Sequence, residues 1–267
     1  MSELQQLENH WLACMASLGG GGTMTRVVGG LVVTNSQVAG TFANFLTLRS
    51  VAPERLDLTL EMAEAVLAGA GRPPALFLSP LAGAPGPLGD ALRARGWRPQ
   101  VRQVVLARQI PAPPVGVAPA VSVTEVAGAA ALDLWGRTLV EAYEVNPVAA
   151  AAINQAWTAL ASAPGDGARA RFLVARLDGE PAGTGLSWTQ GGITGLYCGA
   201  VLPAFRRRGV ERATLVRRLE LAALDGSSLA LLQTEVASPV AHLCTEHLGF
   251  RAVYERALWL GPPTSCG

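Results

Sequence analysis

The sequence predicts an α/β chain in two pseudo-duplicated halves, and three observations carry that prediction. Residues 193 to 260 run in the order strand, arginine-rich turn, helix, strand, short helix, strand. Residues 53 to 108 give helix, strand, short helix, strand with the same punctuation. Between them Ile110-Pro111-Ala112-Pro113-Pro114 interrupts secondary structure and reads as a linker.

In the first half, Met1-Ser2-Glu3-Leu4-Gln5 lacks the basic-then-apolar profile of a signal peptide. Val27 to Leu48 is uncharged, but its Asn, Gln, Ser and Thr suit paired strands better than a membrane helix. Pro53 to Ala70 is a helix with Leu56, Leu60, Ala63 and Leu67 on one face. Ala75 to Leu78 is a strand ending in Ser79-Pro80. A short helix, Gly96-Trp97-Arg98 and a strand from Val101 to Arg108 complete this half. The second half repeats the punctuation as Ser238-Pro239 and Gly249-Phe250-Arg251, and Arg98 and Arg251, then Leu106 and Trp259, fall at equal distances after their Gly. A degenerate duplication explains this order. Two unrelated α/β halves sharing common punctuation are the alternative.

The second half opens with helices at Ala129 to Ala142 and Pro147 to Leu160. Their junction, Glu141-Ala142-Tyr143-Glu144-Val145-Asn146, offers two carboxylates and a phenol that could select a cationic amine, or could form an ordinary exposed helix end. Ile193 to Val201 is an uncharged strand. Arg212 to Leu224 places Leu215, Leu219, Ala222 and Ala223 at helical spacing. After Gly226 come the strand Leu229 to Val236, a helix opened by Ser238-Pro239 and ended at Leu248-Gly249-Phe250, and a strand from Val253 to Leu260.

The segment Val201 to Ala213 sets the functional expectation. A helix start leaves unpaired N–H groups and partial positive charge, and Gly209 permits both an unusual backbone angle and the close approach of an anion. Arg206, Arg207 and Arg208 add charge there, so a nucleotide diphosphate fits. A solvated arginine turn is the competing reading.

Composition narrows the classes. At 267 residues, half of them apolar, the chain has one or two domains and a core that needs no staples. Cys14, Cys198, Cys244 and Cys266 show no CxxC spacing, which suits a reducing cytoplasm. His242, Cys244 and His247 stand two, three and five residues apart, so they do not share one helix face and no metal site is expected. All 21 basic residues are arginine, which excludes regulation by lysine self-acetylation. A net charge of +1 without a basic face or tail lacks the footprint of a nucleic-acid binder. No membrane segment is expected.

The loop Arg206-Arg207-Arg208-Gly209-Val210-Glu211 resembles the acetyl-CoA loop of the GNAT superfamily of N-acetyltransferases: Arg or Gln, two residues, Gly, one residue, Gly or Ala. The ending Glu246-His247-Leu248-Gly249-Phe250 is similar to the family's closing helix, and the resemblance spans roughly residues 119 to 261. It implies two GNAT-like mixed twisted sheets flanked by helices (α+β). The implied organisation is a degenerate domain at 1–109 without a cofactor loop, a linker at 110–118, an acetyl-CoA-binding domain at 119–262 and a tail at 263–267.

The resemblance also implies that the sheet splays between Ile193 to Val201 and Leu229 to Val236, with the pantetheine arm lying along the open edge. Gly199, Ala200 and Val201 would meet that arm, Arg206, Arg207, Arg208, Gly209, Val210, Glu211 and Arg212 would wrap the pyrophosphate, and Ser238 would reach the end of the arm. Three positions depart from the family: Glu211 for Gly or Ala, Ser238 for Asn, and Thr245 for the Tyr that protonates the leaving thiolate. Glu211 must point outward or weaken binding. A Thr hydroxyl is no acid near neutral pH, so the role at Thr245 is unfilled or moved.

Gln233 stands where the family has a Glu, and Glu235, two residues on and on the same strand face, is the candidate base, directly or through water. Tyr254 and Cys198 are lesser candidates for the acid, each equally readable as an ordinary buried side chain. The expected activity is acetyl transfer from acetyl-CoA to a primary amine, of a small molecule before a peptide, in a cytoplasmic and homodimeric protein. The alternatives are an acyl-CoA-binding sensor without turnover and, last, an interaction protein that binds no CoA.

Overall fold

The computed structural model describes residues 1–83, 85–111, 120–144 and 147–262. Most of the expected linker 110–118, the tail 263–267, and Val145 and Asn146 of the helix junction lie outside the described residues. The chain forms two compact units: Met1–Val105 with Val253–Gly267, and Leu106–Ala252.

The first unit starts with α1 (Glu3–Ser17), which the sequence reading did not identify. Its start is a reciprocal cap: the Ser2 hydroxyl accepts from the Gln5 amide at 3.3 Å, and the Ser2 amide donates to the Gln5 side chain at 3.0 Å. Three strands follow, β1 (Gly22–Val27), β2 (Gly30–Asn35) and β3 (Phe45–Leu48). β2 and β3 lie in the uncharged stretch expected to pair, whereas β1 precedes it, carries Arg26 and reaches it only at Val27. β1 and β2 form a hairpin around Val28-Gly29, and β2 runs antiparallel to β3.

α2 (Leu56–Gly69) then crosses to β4 (Ala75–Leu78), which is parallel to β3. α3 (Pro85–Ala94) leads to β5 (Arg98–Gln109). The last strand of the chain, β11 (Arg251–Leu260), pairs antiparallel with β4 from Ala257 opposite Leu78 to Leu260 opposite Ala75. Burial of Trp259 among Leu76, Leu88 and Trp97 explains why that strand is held there.

The second unit contains β6 (Val121–Val126), α4 (Ala129–Tyr143), α5 (Pro147–Thr158), β7 (Arg169–Leu177), β8 (Glu180–Gln190), β9 (Ile193–Val201), α6 (Val210–Leu224), β10 (Leu229–Glu235) and α7 (Pro239–His247). β6 to β9 form an antiparallel meander, and β10 adds parallel to β9. The sheets are thus mixed and flanked by helices, as expected. Of the four small or apolar residues expected to face inward on α6, Leu215, Leu219 and Ala222 are buried and Ala223 is exposed, because the register of the buried face is set by Val210 and Ala213 against β7 and β8. Among the described residues no helix is long and apolar enough to cross a membrane.

The repeated order is present in the coordinates. β3-α2-β4-α3-β5 and β9-α6-β10-α7-β11 share the parallel pair and the helix placements. Ser79 and Ser238 each accept from the amide two residues on, at 3.4 and 3.2 Å, and Gly96 and Gly249 take left-handed φ of 82° and 65° at the matching helix exits.

Candidate functional site

The site begins with an irregularity in β9. Opposite β8 the register jumps from Leu186↔Tyr197 to Thr184↔Ala200, so Cys198 and Gly199 together face Gly185. This is a bulge: Cys198 adopts φ 49°, left-handed for a residue with a side chain, and its carbonyl accepts from the Thr184 hydroxyl at 3.0 Å. On the other edge of β9, the ladder with β10 runs from Ile193↔Leu229 only to Gly195↔Leu231. Beyond Gly195 the two parallel strands part, and the end of β9 becomes an open edge.

The loop after β9 turns into α6 through two left-handed residues, Arg207 at φ 61° and Gly209 at φ 85°. Gly209 is the N-cap of α6 and has no side chain to donate a cap, so the first-turn amides keep their unpaired N–H groups and the positive end of the helix. A cavity of about 700 Å³ lies in this unit, lined by the end of β9, the loop, the first turn of α6, the end of α4 and Pro239, Val240 and Leu243 of α7. That volume is within the range of small-molecule sites.

The sequence-predicted cofactor residues separate on inspection. Gly199, Ala200, Val201, Arg206, Arg207, Gly209, Val210, Glu211 and Arg212 line the cavity. Arg208 does not; its guanidinium pairs with Asp178 at 3.2 Å and lies over the Phe205 ring. Arg206 lines the cavity but spends its head on the C-terminus of α4, donating to the Ala142 carbonyl and the Glu144 carboxylate, each at 3.2 Å. Arg207 has no side-chain partner among the described residues, and Arg212 buries an Nε with no acceptor. These two arginines are therefore the available cations. Ser238 caps α7 through its hydroxyl and is not a lining residue.

The two residues expected to be catalytic stand outside this lining. Glu235 is exposed at the end of β10, and Thr245 is exposed with its hydroxyl donating to the Ala241 carbonyl at 3.1 Å. Tyr254 is buried in the first unit, and its phenol is pushed up by burial and then by Glu8. Of the helix junction, Tyr143 lines the cavity and Glu144 holds Arg206.

Glu211 does not point outward, the first of the two outcomes set for it. Its side chain turns in, 18% exposed, and its carboxylate lies 3.5 Å from the guanidinium of Arg218, which is fully buried. Arg218 also donates to the Tyr197 carbonyl at 3.1 Å and leaves its Nη2 without a hydrogen-bond partner. Burial raises the Glu211 carboxyl and Arg218 opposes that; burial likewise lowers Arg218, raises Cys198 and the Tyr143 phenol, and pushes the Cys244 thiol up to about 12. Tyr143 as a whole is 43% exposed; Cys198 and Glu211 add to the rise of its phenol and Arg218 opposes it.

Arg218 was not singled out from the sequence, and its signal was glycine. A Cβ on Gly185 would lie 3.0 Å from Arg218 Nε, and one on Gly199 would lie 3.0 Å from both Arg218 Nη2 and Glu211 Oε1. Glycine inside a strand marks close approach, and here it makes room for a charge pair.

The comparisons with known proteins agree with this geometry. A family model described as an acetyltransferase (GNAT) domain matches residues 116–230. No curated protein matches the chain significantly. Among solved structures, a GCN5-related N-acetyltransferase from Kribbella flavida superposes with a TM-score of 0.77 at 17% identity, covering 100% of this chain and 98% of that one. One from Sphaerobacter thermophilus gives 0.62 at 14% identity, over 88% and 81%. A tandem GNAT protein from the clavulanic acid biosynthesis pathway gives 0.58 at 15% identity, over 96% and 95%. A GNAT acetyltransferase family model thus matches residues 116–230, and the chain has the fold of the GCN5-related N-acetyltransferases.

Proposed function

We propose that the chain is an N-acetyltransferase that takes acetyl from acetyl-CoA to a primary amine, one carried by a small molecule, in a ternary complex. The observation that carries this reading is the junction of an open strand edge with an uncapped helix start at one cavity. The buried, acceptor-less Nε of Arg212 and the unengaged Arg207 suit a pyrophosphate better than an apolar ligand. When bound, acetyl-CoA supplies an activated acetyl thioester. The chain's part is to hold it: Arg207, Arg212 and the first amides of α6 at the phosphates, and the backbone of Gly199, Ala200 and Val201 along the arm. Pro239, Val240 and Leu243 line the opposite side with apolar surface that keeps water from the transfer.

The same reading extends to the organisation. Residues 1–109 are a degenerate GNAT-like half, 119–262 the acetyl-CoA-binding half, and the protein works in the cytoplasm on a small amine, without nucleic acid or membrane, as a homodimer. A second reading, acyl-CoA binding without turnover, draws on the placement of Glu235 and Thr245 outside the cavity lining.

Calorimetric titration with acetyl-CoA tests the proposal. Micromolar binding that weakens at least tenfold in Arg207→Ala, and less in Arg208→Ala, is expected. No binding by the unaltered chain overturns it. Binding without acetylation of any member of an amine panel selects the second reading.

A further inference from the structure

The Glu211 carboxylate has no counterpart in the loop pattern that the chain otherwise follows, and its position is unusual on three counts. It is the one carboxylate among the residues lining the cavity. Its carboxylate reaches β9, where its Oε1 lies 3.0 Å from the point a Cβ of Gly199 would occupy, next to the bulge at Cys198. It is held there by Arg218, a fully buried guanidinium on its own helix two turns on. A carboxylate that only balanced Arg218 could be sealed in. This one keeps a face on the cavity, 18% exposed.

We infer that Glu211 is the catalytic base of this site, receiving the proton of the acceptor ammonium at the open edge of β9. The inference rests on the acyl-transfer reading above. The acceptor arrives as R–NH3⁺; one N–H bond breaks, its electron pair stays on nitrogen as the attacking lone pair, and the proton binds a Glu211 carboxylate oxygen. The proton then leaves to solvent through the cavity, and the carboxylate is restored for the next turnover.

Every titratable group facing Glu211 fits this assignment. Arg218 and Arg212 on α6, and Arg206 and Arg207 on the loop, are cations and accept no proton. Cys198 on β9 and Cys244 on α7 are held as thiols by burial. Tyr143 at the end of α4 is held as a phenol by burial, then by Cys198 and Glu211, and does not take up the proton. The raised Glu211 carboxyl matches a base better than an exposed glutamate would, since a base works best with its pKa moved toward the working pH.

The test uses the full chain, the best amine from the panel, and three readouts: the pH profile of kcat/KM, calorimetric acetyl-CoA affinity across the same pH range, and the melting temperature. In the unaltered protein kcat/KM rises through an acid limb displaced above the ordinary glutamate range. Its acetyl-CoA affinity weakens across the same limb, because ionised Glu211 stands near the phosphates. Glu211→Gln is expected to lower kcat at least about 100-fold, to remove both pH dependences, and to bind acetyl-CoA as tightly or more tightly. Glu211→Asp, which keeps the charge one methylene back, retains the limb with a smaller loss.

Glu211→Gln that keeps its acid limb and a kcat within threefold overturns the inference. So does a loss of acetyl-CoA affinity that accounts for the loss of kcat, since that marks a positioning residue. If Glu211→Gln does not fold, a pH-independent acetyl-CoA affinity in the unaltered protein, or an acid limb lost in Glu211→Asp, overturns it equally. Failure of the unaltered chain to bind acetyl-CoA sinks the underlying reading instead, and is read separately in the first titration.

Discussion

Each unit of the molecule buries one glutamate against one arginine, and the two pairs have opposite settings. In the first unit Glu8 is fully buried 3.6 Å from Arg256, whose guanidinium lies 3.5 Å over the Trp11 ring, 4.9 Å over Phe77, and donates to Gln103. Trp11 is itself stacked on Phe45 at 4.8 Å. Aromatic faces pack directly on that guanidinium, and both charged side chains are buried. In the second unit Glu211 and Arg218 sit at 3.5 Å, almost the same separation, but Gly185 and Gly199 make room beside them and a cavity opens on the carboxylate. At nearly constant distance, what covers a charge pair decides whether it is sealed or meets a cavity.

The helix starts of the two repeats differ in the same sense. α6 begins at a bare glycine after a left-handed arginine. α2 is preceded by a 3-10 turn beginning at Pro53, which has no N–H to offer, and the preceding Val51 is buried with its amide donating to the Ala82 carbonyl. One turn presents amides outward and the other uses its backbone internally.

Breaking the sealed pair should give the largest effect. Arg256→Ala strands Glu8 in the interior and is expected to cost about 3–5 kcal/mol, measured by urea unfolding, whereas the double change Glu8→Leu with Arg256→Met recovers most of that loss. Retention of full stability by Arg256→Ala would show that the ring stack, not the ion pair, holds this core. Next comes Glu211→Gln, expected to cost about 1–3 kcal/mol, since buried Arg218 loses its counter-charge but keeps an amide oxygen as acceptor.

That variant also sharpens the pH contrast. Burial sets the Glu211 pKa above its unfolded value, so its contribution to stability is fully present below the ordinary carboxylate range and is lost as pH rises through the raised pKa. Glu211→Gln should flatten that slope in a series of melts at increasing pH; an unchanged slope assigns it elsewhere. The smallest effect belongs to Arg217→Ala on the exposed flank of α6, where the pair with Glu220 at 2.8 Å is solvated and its loss should stay below about 0.5 kcal/mol.

Periodicity and punctuation made much of this legible. The strand, basic turn and helix of 193–224, the Ser-Pro caps and the Gly exits are local signals, each resting on backbone groups within a few residues, and the coordinates place them within about two residues of the expectation. The start of α1 carried a local signal as well, the capping box of Ser2 and Gln5. The three adjacent arginines looked equivalent in sequence and are not. Asp178 claims Arg208, and Glu144 with the end of α4 claims Arg206, from segments some 30 and 62 residues away.

The sequence by itself determined the alternation of strands and helices, the repeated order, and the presence of a glycine-led, arginine-rich helix start, because turn chemistry and hydrophobic period act over short spans. Only the tertiary structure decided that β10 parts from β9 after Gly195, that β11 pairs with β4, and that Glu211 turns inward to Arg218. Those outcomes depend on which distant surfaces fill each other's volume and which charges find partners in the interior. No residue carries that information alone.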